Sequence, residues 1–186
     1  MGHSQAEKAQ THARIVKIAS QRFRESGIDG VSLADLMKEA GLTHGGFYRH
    51  FDSRDELVTE AVGHALAQSN GRLGGVTLAA LIDYYLSPAH RDGVADGCAV
   101  TALVADIARS NETARTAYTG QVKRNLAGMT RMAPDGGRAQ AINLLVSLVG
   151  ALSLARAVND EALSREILET VRETLKASAT TSPSHR

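Results

Sequence analysis

The sequence predicts an all-α protein, and three observations carry that expectation. Its 186 residues include no Trp and only three Pro, so helix breakers are scarce. Apolar residues recur at three- and four-residue spacings in one segment after another. Residues that start helices precede these stripes, and glycines follow them. The length suits one or two small domains with a real core, and 43% apolar content separates the chain from disordered sequences.

The first element lies in "THARIVKIASQRFRESG". Ile15, Ala19 and Phe23 share a face, Ile18 and Arg22 flank it, and Gly27 ends the run. The second lies in "GVSLADLMKEAGL". Ser32 is its N-cap, Asp35 holds a box-like position three residues on, and Leu33, Leu36, Met37 and Ala40 form the apolar stripe. Gly41 ends it. Thr43 is placed to cap a third helix running to about Phe51, and Ser53 with Glu56 opens a fourth. The second and third helices, joined by a tight turn at Gly41, make residues 1–54 a three-helix helix-turn-helix domain.

Residues 55–186 are expected to form a second, helical domain. "DELVTEAVGHALAQSNGR" continues the fourth helix on a broad apolar face. "GGVTLAALIDYYLSPAHRD" holds another, and "GCAVTALVADIARSNETARTAYTGQVKRNLAGMTRM" supplies one or two more. "GGRAQAINLLVSLVGALSLARAV" is apolar almost all round, which predicts burial on most of its faces. "DEALSREILETVRETLKAS" is amphipathic, with Leu163, Ile167, Leu168, Val171 and Leu175 on one side. The tail "ATTSPSHR" is expected to fray.

Composition excludes some functions. A single Cys forbids an internal disulfide framework and fits a reducing, cytoplasmic setting. The N-terminal stretch lacks the apolar core of a signal peptide. The longest apolar run is broken by Asn143, Ser147, Ser153 and Arg156, so no membrane span is expected. Residues 1–54 hold eight Lys or Arg against six Asp or Glu, a surplus of two with four His besides, while the remainder carries −1. That bias permits a nucleic-acid partner without demanding one.

The stretch "AGLTHGGFYRHF" poses a specific problem. Adjacent glycines, Gly45 and Gly46, weaken a helix by about 1 kcal/mol each relative to alanine. Around them stand Thr43, His44, Tyr48, Arg49 and His50, all able to hydrogen-bond. Alone, "GG" marks a loop between solvated histidines. In a helix-turn-helix the same features acquire a reason. The second helix enters the major groove N-terminus first, where bare backbone and side-chain donors meet phosphates and base edges.

Residues 11–60 resemble the DNA-binding domain of the TetR family of bacterial transcriptional repressors. The family run of alanine-glycine, an apolar residue, a small polar residue, glycine, a small residue, an apolar residue, Tyr and, after two variable positions, Phe stands here as "AGLTHGGFYRHF", followed by "DSRDEL". The resemblance implies that Thr43 caps the recognition helix and contacts phosphate, His44 reads a base, the Tyr48 hydroxyl reaches a phosphate, and His50 touches backbone or base. Arg54 replaces a usual Lys that holds phosphate. Ser32, Gly45 and Arg49 complete the DNA-facing set. Gly46 departs from the family's Thr, Ser or Ala, which shifts reading onto His44 and Arg49. Phe47 and Phe51, spaced i and i+4, are assigned to the core.

The resemblance further implies a double-stranded DNA operator, a homodimer formed by the last two helices, and a small-molecule effector among the middle helices. Leu145, Leu148, Leu152 and Val171 are the expected interface. Tyr84, Tyr85, Cys98, Thr101, Val104 and Tyr118 are candidate effector contacts, and the scarcity of charge there favours a hydrophobic or neutral compound. Cys98, near an expected helix start, is either a packed apolar residue or a sensor of electrophiles. His90, Asp92, Asp96 and Cys98 fit no ligand spacing, so no metal is expected. Cys98 with His90, and Asp83 beside Tyr84, belong to no catalytic motif, so no enzyme activity, catalytic residue or cofactor is expected. The alternative is a helical interaction protein, or a small-molecule-binding enzyme, that has lost DNA binding.

Overall fold

The computed structural model describes residues 5–68, 75–132 and 137–180; the last six residues of the tail lie outside them. The described residues form helices and connecting turns, with no strand. A head contains α1 (Gln5–Ser26), α2 (Leu33–Glu39) and a short 3₁₀ segment, His44–Arg49. Then follow α3 (Arg54–Gln68), α4 (Leu78–Tyr85), α5 (Pro88–Asp92), α6 (Ala99–Ala102), α7 (Val104–Ala108), α8 (Glu112–Met132), α9 (Gly137–Ala157) and α10 (Glu161–Thr180). The stretch read as one or two helices between residues 97 and 132 is therefore three.

Local chemistry sets the head's geometry. Ser32 caps α2 by accepting from the Asp35 amide. At the other end Gly41 takes φ +72°, and the amides of Gly41 and Leu42 return to the carbonyls of Lys38 and Met37. This pair of bonds is a Schellman stop, and it needs glycine because a side chain rarely tolerates that backbone. Ser53 accepts from the Glu56 amide, while Glu56 reaches back to the amide of Asp52, one residue earlier than a strict capping box.

The head closes around Ile15, Ala19, Phe23, Leu36, Met37, Phe47 and Phe51, all essentially fully buried. Phe47 and Phe51 stack with centroids 5.3 Å apart. Burying a side chain of this size contributes about 1.5–3 kcal/mol. The same apolar cluster continues without a break through Leu57, Ala61 and Ala65 of α3 into Ile82, Leu103, Leu148 and Leu168. α3 therefore serves both head and body, and α1 and α8 pack along it.

Candidate nucleic-acid interface and the buried cluster of the body

The third helix is not the α-helix that the sequence suggests. Residues 44–49 form a 3₁₀ turn, with the Gly46 amide on the Thr43 carbonyl at 2.9 Å. Thr43 occupies the N-cap position in extended geometry but makes no side-chain cap bond, contrary to expectation. Phe47 points inward, as does Phe51, whose amide returns to the Phe47 carbonyl in an α-type bond at 3.1 Å, while Thr43, His44, Gly45, Tyr48 and Arg49 stay outside. Tyr48 is 66% exposed although its neighbour Phe47 is buried.

These residues line an open depression of about 840 Å³ whose far wall is the start of α1. Glu7, Lys8, Thr11 and Arg14 join Leu42, Thr43, Gly45, Gly46, Tyr48, Arg49 and His50 there. The α1 residues were not among those assigned from sequence. Their one signal was the basic surplus of the first 54 residues, which says nothing of placement. The turn at Gly41 brings them beside the 3₁₀ segment.

Neither glycine is required by the chain itself. Neither has positive φ. A Cβ at Gly45 would meet nothing within 4 Å, and one at Gly46 would make ordinary contacts with Met37, Thr43 and Leu42. Close approach to the supporting helix therefore does not explain them. What they provide is bare backbone toward the depression.

His50 lies at the rim beside His12. Its Nδ1 is buried without a hydrogen-bond partner. Burial first, then the nearby positive charge of His12, Lys8 and Arg49, holds the His50 pKa below the usual histidine value. His12 lies flat against Phe51, centroids 4.4 Å apart, and its Nε2 is 2.7 Å from Glu60 Oε2 on α3.

Arg54 has an unanticipated task. Its Nη2 donates to the carbonyls of Ile28 and Val31, at 2.7 and 2.9 Å. It ties the α1–α2 turn to the first residue of α3, which engages the group assigned to phosphate. Ser32 is exposed, and its hydroxyl is occupied with Asp35.

In the body, four of the six candidate effector residues meet. Tyr85 Oη is 2.6 Å from Thr101 Oγ1, and Tyr118 Oη donates to the Val100 carbonyl at 2.8 Å. Cys98 is buried beside them. Its backbone N–H donates to Nε2 of the buried His90, whose Nδ1 is 2.8 Å from the Tyr85 carbonyl. This pairing fixes a neutral imidazole with its proton on Nδ1. Burial raises the Tyr85 pKa well above its usual value and pushes Tyr118 up to about 12, with Cys98 adding to both shifts. α6 is a single turn, so the dipole argument for a Cys98 thiolate loses its basis. Tyr84 and Val104 stand apart. Both are exposed, and Tyr84 stacks on His90 at 5.0 Å. Among the described residues, no group of three or more His, Cys, Asp or Glu could hold a metal ion.

The expected interface residues lie mostly inside the chain. Leu145, Leu148 and Leu152 of α9 are buried in the chain's own core, and Val171 is half-buried against it. The face of α9 that remains open carries Ile142, Val146 and Leu154, and Leu163 is exposed on α10. α9 is thus not covered on most sides, as its apolar composition suggested. Among the described residues it is the one helix long and apolar enough to cross a membrane, yet less than half of its apolar stretch is buried inside the chain.

A model of bacterial regulatory proteins, the tetR family, matches residues 15–61. An uncharacterised HTH-type transcriptional regulator of Bacillus subtilis, YvdT, is 32% identical over 92 residues, 44% of this chain and 47% of the relative. The HTH-type regulator TtgR of Pseudomonas putida is 38% identical over 52 residues, 28% of this chain and 25% of that protein. The chain thus spans half or less of the curated relatives it matches. Fold similarity reaches further. A TetR transcriptional regulator from Chloroflexus aurantiacus superposes with TM-score 0.81 at 22% identity, covering 95% of this chain and 98% of that one. Escherichia coli NemR, in its reduced form, gives 0.75 at 21%, covering 95% and 100%.

Proposed function

We propose that this chain, which belongs to the TetR family of bacterial regulatory proteins, is a homodimeric transcriptional repressor that binds a palindromic operator and is released by a small molecule. The observation that carries the DNA reading is the depression between α1 and the 3₁₀ segment. Donors ring it, and two glycines without an internal reason bare its backbone. Phosphates are to be held by Tyr48, Lys8, Arg14 and the backbone near Gly45. His44 and Arg49 are to meet base edges, where one good pairing discriminates by about 1–3 kcal/mol.

The dimer reading rests on the outer face of α9. Ile142, Val146 and Leu154 recur along one side of a helix whose opposite side is core. A second copy is the occupant that suits a palindrome, since two heads reading half-sites one helical turn apart need roughly 34 Å between them. The effector reading rests on the Tyr85, Thr101, Cys98 and Tyr118 cluster, whose hydroxyls and apolar neighbours suit a neutral ligand. Within it, an electrophile reacting at Cys98 is the narrower version.

Selection of bound fragments from random duplex DNA tests the whole reading. The expected outcome is a palindrome, bound with strong salt dependence. His44→Ala should relax the preference at one base pair of each half-site, and Tyr48→Phe should weaken all duplexes alike. Release by an electrophile from wild type but not from Cys98→Ser would support the covalent version. Recovery of no duplex above background would remove the DNA reading.

A further inference from the structure

The α1–α2 turn is held from two sides at one residue. The Ile28 N–H donates to Asp106 Oδ1 of α7 at 3.0 Å, and the Ile28 carbonyl accepts from Arg54 Nη2 at 2.7 Å. The turn begins at Gly27, with φ +75°, and a Cβ there would lie 3.1 Å from Asp106 Oδ1. Any side chain at position 27 would therefore be strained and would crowd the same carboxylate. The sequence shows Gly27 as a helix stop; the structure shows that it also clears a path for Asp106.

The segment leading to Asp106 is tied to the head a second time. Arg24 of α1, almost fully buried, donates to the Gly97 carbonyl at 3.4 Å and to Gln68 Oε1 at 3.0 Å, while Gln21 donates to Asp96 Oδ1 at 3.0 Å. Between these ties lie Cys98 and Thr101, which the body's polar cluster grips through His90 and Tyr85. One short stretch, residues 97–106, thus touches the head at both ends and the buried cluster in its middle.

From this juxtaposition we propose that Asp106 is a positioning residue for DNA binding: its carboxylate latches the α1–α2 turn to the body, so that the pose of the head and the order of residues 97–110 are coupled. The role rests on the DNA reading above. Coupling of this kind is reciprocal, so DNA held by the head must tighten the segment in the body. A hydrogen bond that only stabilised the fold would not produce this response.

Hydrogen–deuterium exchange on the full chain, with and without a duplex recovered by selection, tests it. In wild type, DNA should slow amides of residues 97–110 by roughly 5- to 150-fold, the usual range of such coupling. The slowing should exceed that of core amides in α10, which general stabilisation by a bound ligand would move alike. Asp106→Ala should bind DNA more weakly and, at saturating duplex, keep protection in the head yet lose the extra slowing in 97–110. Asp106→Asn, which retains an acceptor oxygen, should restore it. Extra slowing that survives Asp106→Ala would overturn the latch. Where that variant does not fold, the wild type still decides: protection confined to the head overturns the proposal, and slowing that includes both Ile28 and residues 97–110 supports it. A chain that binds no duplex at all defeats the DNA reading itself, a different result from binding without coupling.

Discussion

The head and the α9–α10 pair use apolar residues in opposite ways. In the head, each element has one apolar face and one polar face, and turn chemistry fixes where they point. Phe47 is buried and Tyr48 exposed, one residue apart, because Gly41 stops α2 and the 3₁₀ turn sets the register. In α9 both faces are apolar, so composition cannot say which one the chain keeps for itself. Leu148 is fully buried and Val146, two residues away, is 64% exposed. Capped, glycine-punctuated elements reveal their orientation in sequence, whereas a uniformly apolar helix takes its orientation from its neighbours.

The largest expected effects come from the two faces of α9. Leu148→Arg places an unpaired charge in the core, at a cost of several kcal/mol, and should abolish the cooperative thermal transition. Val146→Arg should keep that transition and, if the outer face pairs with a second copy, sediment as a monomer with weakened palindrome binding. A Val146→Arg protein that stays dimeric would move the interface elsewhere.

Arg54 separates the positional reading of the head from its geometry. As a phosphate ligand, Arg54→Ala would lower the salt slope of DNA binding by about one. As the clamp on Ile28 and Val31, its loss should instead cost about 1.5–3 kcal/mol of stability, the usual worth of a hydrogen bond from a charged group. Denaturant unfolding and salt titration of the same variant decide between them, and the geometry favours lost stability with little change in slope.

A smaller effect is expected at Gly45. Nothing opposes a methyl there in the free chain. Gly45→Ala should therefore stabilise the protein by at most about 1 kcal/mol, because it restricts the unfolded chain. If DNA backbone approaches that surface, the same change should weaken binding. Equal or tighter binding by the stabilised variant would show that the bare backbone serves no partner.

The smallest effect concerns pH. The His50 pKa is depressed by burial and by neighbouring positive charge, so its folded form resists protonation. The unfolded chain then takes up the proton first, and this residue's contribution to stability falls as pH drops below the ordinary histidine value of about 6.5. Bound phosphate acts in the opposite sense by favouring the imidazolium. Lowering pH through the same window should tighten DNA binding in wild type and less so in His50→Gln. Salt-matched titrations at several pH values would check this, and identical pH profiles would remove His50 from the contact surface.

By itself the sequence determined the all-α class, the order of head elements, the stops at Gly27 and Gly41, and the inward assignment of Phe47 and Phe51. These are consequences of interactions within a few residues: caps, left-handed glycines and three- to four-residue periodicity. The motif also carried the outward placement of Thr43, His44, Tyr48 and Arg49. Only the tertiary structure decided that residues 44–49 wind as a 3₁₀ turn and that Lys8, Thr11 and Arg14 face them. It also gave Arg54 to the carbonyls of Ile28 and Val31, and Ile28 to Asp106, 78 residues away. The same is true of α9, whose inner and outer apolar residues look alike until α8 and α10 pack against one side. Contacts between residues distant in the chain leave no local period to read, because each partner's choice is satisfied only once the whole fold has closed.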